Sequence, residues 1–338
     1  MANYVKLATS EKPSLTAFSI GDILVRHYGL RMLNCQKPNS YENYNFRIKV
    51  ESTGKKGKEK CCHSYTLKVL SKRNSENTNH IGSPYVARLF EYVPGTIIQS
   101  VRLIPGLCYK VGVMAGRVDR ALQGFDHSGF HGNEVQIWHL SNVPLILDLL
   151  HVVDNKGDRQ MISDVIKAFE SRVLEHLNEF PQGIIHGDFN EGNILVTQAT
   201  DNDRWKDKHD VSAILDYGEC SYQPYIFEVA IAMTYMSILS DNVPPQTASG
   251  YVLAGYLTRH ELPEKEIDVL KICVCARIAQ SLVIGAYSFH VDPSNDYTLT
   301  TAKKGWPRLR QLWKMESEKL VREWRNIASS CWETVAAD

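Results

Sequence analysis

The decisive stretch of this sequence is His186-Gly187-Asp188-Phe189-Asn190-Glu191-Gly192-Asn193-Ile194-Leu195, which Ile214-Leu215-Asp216-Tyr217-Gly218 follows. An Asp with an Asn five residues later has the spacing of a phosphoryl-transfer loop, in which the Asp orients or accepts a hydroxyl proton and the Asn binds metal. Mg²⁺ leaves most of its coordination positions to water and phosphate, so one carboxylate and one amide oxygen suffice as protein ligands. We therefore predict Asp188 as the base, Asn193 as a catalytic residue and metal ligand, and Asp216 as the main metal ligand.

The two halves of this motif are predicted to stand at opposite ends of a β-hairpin. An apolar run at 194–196, a polar stretch at 197–210 and a second apolar run at 211–215 indicate two short strands joined by a loop. His186 precedes Asp188 by two residues and is grouped with the catalytic residues as a brace for the loop. An isolated His-Gly-Asp would equally suit a turn with Asp as a helix cap, but the full set favours a phosphoryl-transfer site.

Together the two motifs resemble the aminoglycoside phosphotransferase and choline kinase group of the protein-kinase-like superfamily. Within that group, further residues resemble the hydroxylysine kinases, and the resemblance runs from about Tyr28 to Trp324. These residues are Tyr217-Gly218, Phe227-Glu228-Val229-Ala230, Arg277, Gln280-Ser281-Leu282, Ala286-Tyr287-Ser288, Asp296-Tyr297 and the segment 301–306. The resemblance implies transfer of the γ-phosphate of GTP to the side-chain hydroxyl of 5-hydroxy-L-lysine, with Mg²⁺, in the cytoplasm. ATP stays open as the donor, and another amino alcohol stays open as the acceptor.

The order of the patterns predicts an α+β, two-lobed protein-kinase-like fold, with a small antiparallel β lobe at 1–92 and a larger helical lobe at 93–338. Period-two alternation at 45–50, 64–70 and 86–92 indicates strands in the first lobe. Helical apolar spacing follows in the second lobe, at 107–122, 162–180, 226–239, 264–289 and 301–328.

The nucleotide site is predicted in the first lobe. Lys68 matches the strand lysine that neutralises nucleotide phosphates, although an exposed strand lysine is the alternative. Ser40 and Asn43 are predicted in a loop that covers the phosphates, and backbone groups of Glu91 and Val93 are predicted to pair with the base. Backbone donors do not distinguish GTP from ATP.

An amino acid acceptor requires an anion site for its carboxylate and acidic groups for its amines. The candidates for contact with this substrate are Glu228, Arg277 and Tyr287, together with Asp119. For Glu228 and Arg277 the alternative is a buried structural salt bridge.

The small lobe departs from the kinase pattern. Only 16 residues separate Lys68 from Tyr85, and the segment 71–83 is almost wholly polar. A kinase-like fold has a helix here whose Glu pairs with the strand lysine, and three helical turns alone need about 11 residues. We therefore expect a shortened small lobe with weakened nucleotide affinity or lost turnover. A pseudokinase that acts as a binding protein is the alternative.

Composition is compatible with this fold and decides little by itself. Lys plus Arg and Asp plus Glu both total 38 of 338 residues, so charge gives no argument for nucleic-acid or membrane binding. The eight cysteines show no disulfide framework and the N-terminus has no signal-peptide pattern, which predicts a cytoplasmic protein. The apolar stretches at 229–239 and 282–289 are too short for a membrane span. Oligomeric state leaves no signal in the sequence.

Overall fold

The structure, a computed structural model, describes residues 17–36, 44–53, 60–71, 85–131, 136–199, 205, 207–294 and 299–336. The chain divides into two compact units, Met1–Val93 and Pro94–Asp338. The division lies one residue after the lobe boundary predicted from the sequence. Ser40, Asn43, Asp296-Tyr297 and most of the polar segment predicted to lack its helix lie outside the described residues.

The described residues of the first unit form one helix on an antiparallel sheet. Helix α1 spans Ala17–Tyr28, and the strands are β1 Arg31–Gln36, β2 Tyr44–Thr53, β3 Lys60–Ser71 and β4 Tyr85–Glu91, in the order β1-β2-β3-β4. Alternate residues of β2 and β3 point to the same face, and there Phe46, Ile48, Val50 and Leu67 enclose a core with Ile20 and Leu24 of α1. The predicted antiparallel sheet is confirmed. Helix α1 and strand β1 were not predicted from the sequence.

Strand β3 carries Lys68 on the face opposite this core, because it follows Leu67 directly. Lys68 is buried and lies opposite Arg88 in the register of β3 with β4. Strands β3 and β4 are direct neighbours in the sheet, so no strand separates them. In the described residues β4 is therefore an edge strand.

The second unit holds two small antiparallel sheets. Strands β5 Thr96–Ile97, β7 Ile194–Gln198 and β8 His209–Ile214 form one sheet in the order β5-β7-β8. Strands β6 Gln182–Ile185 and β9 Ser221–Pro224 form the other. The predicted hairpin is β7–β8. Because β6 pairs with β9 and β7 with β8, the loops β6–β7 and β8–β9 lie side by side, and these loops carry the two motifs.

Helices make up the rest of this unit: α2 Pro105–Leu122, α3 Lys156–Arg172, α4 Tyr225–Leu239, α5 Pro245–Leu257, α6 Glu264–Val291, α7 Ala302–Lys314 and α8 Ser317–Ala336. Shorter 3₁₀ segments are Ile98–Ser100, Ser128–Phe130, Leu140–Val152, Leu174–Glu179 and Tyr217–Glu219.

Two of the predicted helix ranges are corrected by the structure. The range 162–180 ends as an α-helix at Arg172 and continues as a 3₁₀ segment. The range 301–328 is two helices, because α7 stops where the buried Lys271 ammonium donates to the carbonyls of Trp313 and Met315. Those carbonyls are among the last of the helix, which have no partner within it.

Helices α2 and α5 pack at backbone distance through two glycines. A Cβ at Gly112 would lie 1.9 Å from the carbonyl oxygen of Val252, and a Cβ at Gly255 would lie 1.9 Å from that of Tyr109. No other residue type fits at such separations. This contact fixes α2 against the core of the unit.

Helix α6 is longer and more apolar than the short runs visible in the sequence. Its 28 residues contain an 18-residue window of mean hydropathy 1.7, enough by length and composition to cross a membrane, but 94% of that window is buried inside the protein. Helix α6 is therefore the central core helix of the unit, and one face of it reaches the β6–β7 loop through Arg277.

Candidate active site

Asp188 lies in the β6–β7 loop and is held by three donors. Its Oδ1 accepts hydrogen bonds from Asn190 Nδ2 at 2.8 Å and from Arg277 Nη2 at 3.3 Å, and its Oδ2 accepts one from Asn193 Nδ2 at 2.8 Å. Each carboxylate oxygen offers about two acceptor sites. Oδ2 therefore retains one, and the side chain, 22% exposed, is accessible to an incoming hydroxyl.

Asn193 turns its amide oxygen away from Asp188. Its Nδ2 also donates to the Asp188 carbonyl at 3.0 Å, so both amide protons are used and Oδ1 is left for another partner. Asn190 shapes the turn, since its Oδ1 accepts from the main-chain N–H groups of Gly192 at 2.8 Å and Asn193 at 3.1 Å. An amide oxygen with no donor to bind is the kind of ligand that a hard cation takes.

Asp216 follows β8 in an unusual backbone conformation. Its φ of 62° and ψ of 76° are left-handed, and in the part of the chain that the structure describes no other non-glycine residue has a positive φ. The carboxylate is exposed, and its Oδ1 accepts from Gly218 N at 3.2 Å. Such conformations cluster at functional sites. Asp216 and the Asn193 amide oxygen fit a cation that takes few protein ligands, and no group of three or more His, Cys, Asp or Glu suited to a metal occurs among the described residues.

The fully buried His186 ties the two motif loops together. Its Nε2 donates to the Leu215 carbonyl at 2.9 Å, and its Nδ1 accepts from Asp188 N at 3.2 Å. Leu215 N in turn donates to the Asn193 carbonyl at 2.8 Å. Both ring nitrogens are engaged, so His186 has the geometry of a brace. The residue before Asp216 is thus fixed to the loop that carries Asp188.

Glu228 of α4 binds the main chain of the same loop. Gly187 has a φ of 76°, and a Cβ there would lie 2.6 Å from the Glu219 carbonyl oxygen. Its N–H donates to Glu228 Oε2 at 2.9 Å, while Glu228 Oε1 is buried without a partner. Burial raises the pKa of Glu228. In the structure Glu228 therefore binds the main chain of this loop through Oε2.

Arg277 of α6 is 1% exposed and pairs with Asp188. Its Nη1 donates to the Trp138 carbonyl at 2.7 Å and to Gln280 Oε1 at 3.0 Å, and its guanidinium lies 5.3 Å from the Trp138 ring centroid. A buried salt bridge was one alternative for Arg277 and Glu228. In the described residues the ion pair of Arg277 is with Asp188, and none joins it to Glu228.

Tyr287 and Asp119 are not brought to Asp188. Tyr287 stands ten residues after Arg277 on α6, about 15 Å along the helix, and its ring lies 6.2 Å from that of His151. Asp119 is fully buried on α2 and accepts from Tyr256 Oη at 2.6 Å. Burial, with the nearby charge of Glu228, raises its pKa. These contacts place neither residue beside the carboxylate of Asp188, the predicted catalytic base.

Glu191 lies between Asp188 and Asn193, and the sequence reasoning passed over it. Its Oε2 is buried without a hydrogen-bond partner. Burial raises its pKa to about 7, with smaller effects from the charges of Asp188, Arg277 and Lys304. It stands at one of the four unspecified positions between the Asp and the Asn of the motif. Its charge is therefore the feature of the sequence that could have marked it as a candidate. Asn190 occupies another such position and was passed over for the same reason.

Of the residues predicted to contact the nucleotide, Lys68, Glu91 and Val93 are described, and they belong to the first unit. Lys68 is 8% exposed on β3. Glu91 is the last residue of β4, and Val93 follows two residues later with 41% of its surface exposed.

Three comparisons place this chain among known proteins. The sequence model described as "Phosphotransferase enzyme family" matches residues 66–262. Hydroxylysine kinase of Mus musculus is 32% identical over 366 aligned positions that cover 95% of each chain. Because that alignment is longer than the 338 residues of this chain, the chain carries deletions relative to the mouse protein.

Solved structures show the same fold. A microcompartment-associated aminopropanol kinase superposes with a TM-score of 0.61 at 15% identity, covering 85% of this chain and 95% of its own. The amicoumacin kinase hAmiN, in complex with AMP-PNP, Ca²⁺ and Ami, gives a TM-score of 0.52 at 14% identity, covering 85% and 91%. At these identities the two structures show a shared fold. The chain belongs to the phosphotransferase enzyme family, within which it is a homologue of the hydroxylysine kinases and transfers phosphate to an alcohol acceptor.

Proposed function

We propose that this protein transfers the γ-phosphate of GTP to the side-chain hydroxyl of 5-hydroxy-L-lysine, with Asp188 as the base. The observation that carries the proposal is Asp188 itself, oriented by three donors with one acceptor site left on Oδ2. The choice of acceptor is supported by the relatives named hydroxylysine kinase.

The proposed reaction uses this remaining site. The acceptor hydroxyl donates to Asp188 Oδ2, and its oxygen attacks the γ-phosphorus in line with the leaving group. A new O–P bond forms as the bond from the γ-phosphorus to the β–γ bridging oxygen breaks. The hydroxyl proton passes to Asp188, and the products are the phosphorylated acceptor and GDP. Arg277, Asn190 and Asn193 keep the carboxylate oriented throughout.

The remaining site residues would hold the donor. Asn193 Oδ1 and the Asp216 carboxylate fit Mg²⁺, which when bound neutralises charge on the phosphates. Lys68 would neutralise further phosphate charge, with Ser40 and Asn43 in the covering loop and backbone groups of Glu91 and Val93 at the base. We also propose a cytoplasmic location. Six cysteines are free, which suits a reducing compartment: Cys35, Cys108, Cys220, Cys273, Cys275 and Cys331.

The first experiment measures nucleoside diphosphate release from the purified protein with Mg²⁺, GTP or ATP, and 5-hydroxy-L-lysine. L-lysine, which lacks the hydroxyl, is the matched acceptor control, and Asp188→Asn is the matched protein control. Release that needs both the hydroxyl and Asp188 supports the proposal. Equal release with L-lysine would show simple nucleotide hydrolysis, and full activity of Asp188→Asn would exclude that residue as the base.

A second candidate is a catalytically impaired form that binds ligands or a partner. It is favoured by the deletions relative to the mouse protein. The 16 residues between Lys68 and Tyr85 also leave little room for the usual helix and strand. Nucleotide affinity separates the two, since strong thermal stabilisation by Mg·GTP or Mg·ATP would contradict the impaired form. A folded protein without stabilisation or product would favour it.

A further inference from the structure

The Glu191 carboxylate has an oxygen without a hydrogen-bond partner in the same loop as Asp188. Glu191 follows Asp188 by three residues, and the turn around it is closed by Asn193 N donating to the Asn190 carbonyl at 3.1 Å. The residue is partly exposed, but its Oε2 is buried and receives no hydrogen bond. A glutamate carboxylate rotates easily about its terminal bond, so either oxygen can face a ligand.

The protein's own nearby cations have other partners. Arg277 is engaged with Asp188, the Trp138 carbonyl and Gln280. The Lys304 ammonium pairs with Asp241 Oδ2 at 2.6 Å. No described ion pair compensates Glu191. A buried carboxylate oxygen without a donor is unfavourable, and a cationic ligand that donates to it removes that penalty.

The acceptor of the proposed function supplies such a cation. In 5-hydroxy-L-lysine the side-chain ammonium stands on the carbon next to the one that carries the hydroxyl. An acceptor whose hydroxyl is held at Asp188 therefore places an ammonium close to the same loop. We propose that Glu191 is the ammonium subsite of the acceptor and selects alcohols with an amine on the adjacent carbon. This inference rests on the proposed transfer to an amino alcohol.

The test pairs one substitution with two acceptors. Glu191→Gln keeps the shape of the side chain and removes its charge, and 2-amino-5-hydroxyhexanoate keeps the hydroxyl but lacks the side-chain ammonium. We expect Glu191→Gln to lower kcat/KM for 5-hydroxy-L-lysine by about tenfold or more, mainly through KM. The analogue should be a poorer substrate than 5-hydroxy-L-lysine for the wild-type protein. Its kcat/KM should fall by less than about twofold in the variant. Glu175→Gln, at an exposed glutamate of a 3₁₀ segment, is the control and leaves both acceptors unchanged.

Binding of L-lysine, with L-norleucine for comparison, provides a readout without turnover. Calorimetry should show L-lysine binding about tenfold or more weaker to Glu191→Gln than to wild type, with L-norleucine equally weak to both. Equal losses on both acceptors, or unchanged L-lysine binding by the variant, would overturn the inference. If wild type transfers no phosphate but binds L-lysine through Glu191, the proposed function fails and the subsite stands. If wild type and Glu191→Gln transfer phosphate to 5-hydroxy-L-lysine equally well, the proposed function stands and the subsite fails.

Discussion

Replacing Arg277 by Met should cost both stability and turnover. The guanidinium is 1% exposed and donates to Asp188, the Trp138 carbonyl and Gln280. Removing one partner of a buried ion pair typically costs about 3–5 kcal/mol. Asp188 is 22% exposed, so water stabilises part of the charge that is left, and we expect about 3 kcal/mol. For a unit of this size that lowers the unfolding midpoint by about 6 to 12 °C.

Turnover should fall for a separate reason. Asp188 Oδ1 loses a charge-assisted donor, which is worth about 1.5–3 kcal/mol of orientation, and kcat should drop by about tenfold to a hundredfold. Arg277→Lys keeps the charge but cannot reproduce the planar fork, so it should recover only part of either loss.

The assay combines thermal unfolding with nucleoside diphosphate release at saturating nucleotide. Arg322→Met, at an exposed position of α8, is the matched control and should change stability by less than about 0.5 kcal/mol. A stable Arg277→Met protein with wild-type kcat would refute the reasoning. Lost stability with unchanged kcat of the folded protein would refute the orienting role alone.

Three further predictions concern the loops and one buried acid. His186→Phe keeps the ring packing but leaves the Leu215 carbonyl without its donor, so unfolding in urea should show a loss of about 1–3 kcal/mol and turnover should fall; unchanged turnover would contradict the bracing role. Gly187→Ala should destabilise more than Gly124→Ala, because both glycines have positive φ but only Gly187 has a carbonyl in the way of a Cβ; equal losses in thermal unfolding would contradict this. Burial raises the pKa of Glu266 to about 7, so over this pH range the folded state keeps a proton that the unfolded state loses. Wild-type stability should therefore fall by about 2 kcal/mol or less as pH rises from 5 to 8. Glu266→Gln should flatten that slope in urea unfolding at the two pH values, and an unchanged slope would assign it to other groups.

Much of the fold could be predicted because its patterns are local. The alternation in β2 and β3 and the apolar spacing of α2, α4 and α6 follow from which faces are buried. Helix α5 was missed because it is apolar and rich in glycine on several sides, with no clear stripe. Gly255 is explained by the contact with α2, and Gly250 by the contact with Trp324 and Ile327 of α8. The end of α7 was missed because Lys271, more than thirty residues earlier in the chain, determines it.

The candidate site divides in the same way. Asp188, Asn193 and Asp216 are marked by spacing within a short stretch, and that spacing could be read directly. The partners of Arg277 and Glu228 depend on which side chains of α6 and α4 face the loop, and a sequence contains no such distances. In the sequence, the acidic Glu228 and the basic Arg277 each stand in an apolar helix, which suggested that the two pair with each other. In the structure each instead holds a different part of the β6–β7 loop.

The link from His186 to Leu215 has a consequence for how such a protein changes over generations. In the described residues, the hydrogen bonds that link Asp188, Asn193 and Leu215, the neighbour of Asp216, lie within the unit Pro94–Asp338. A change of length in the unit Met1–Val93 does not alter these bonds directly. If that unit binds the nucleotide, as we propose, donor affinity and the arrangement of the three motif residues are open to selection separately.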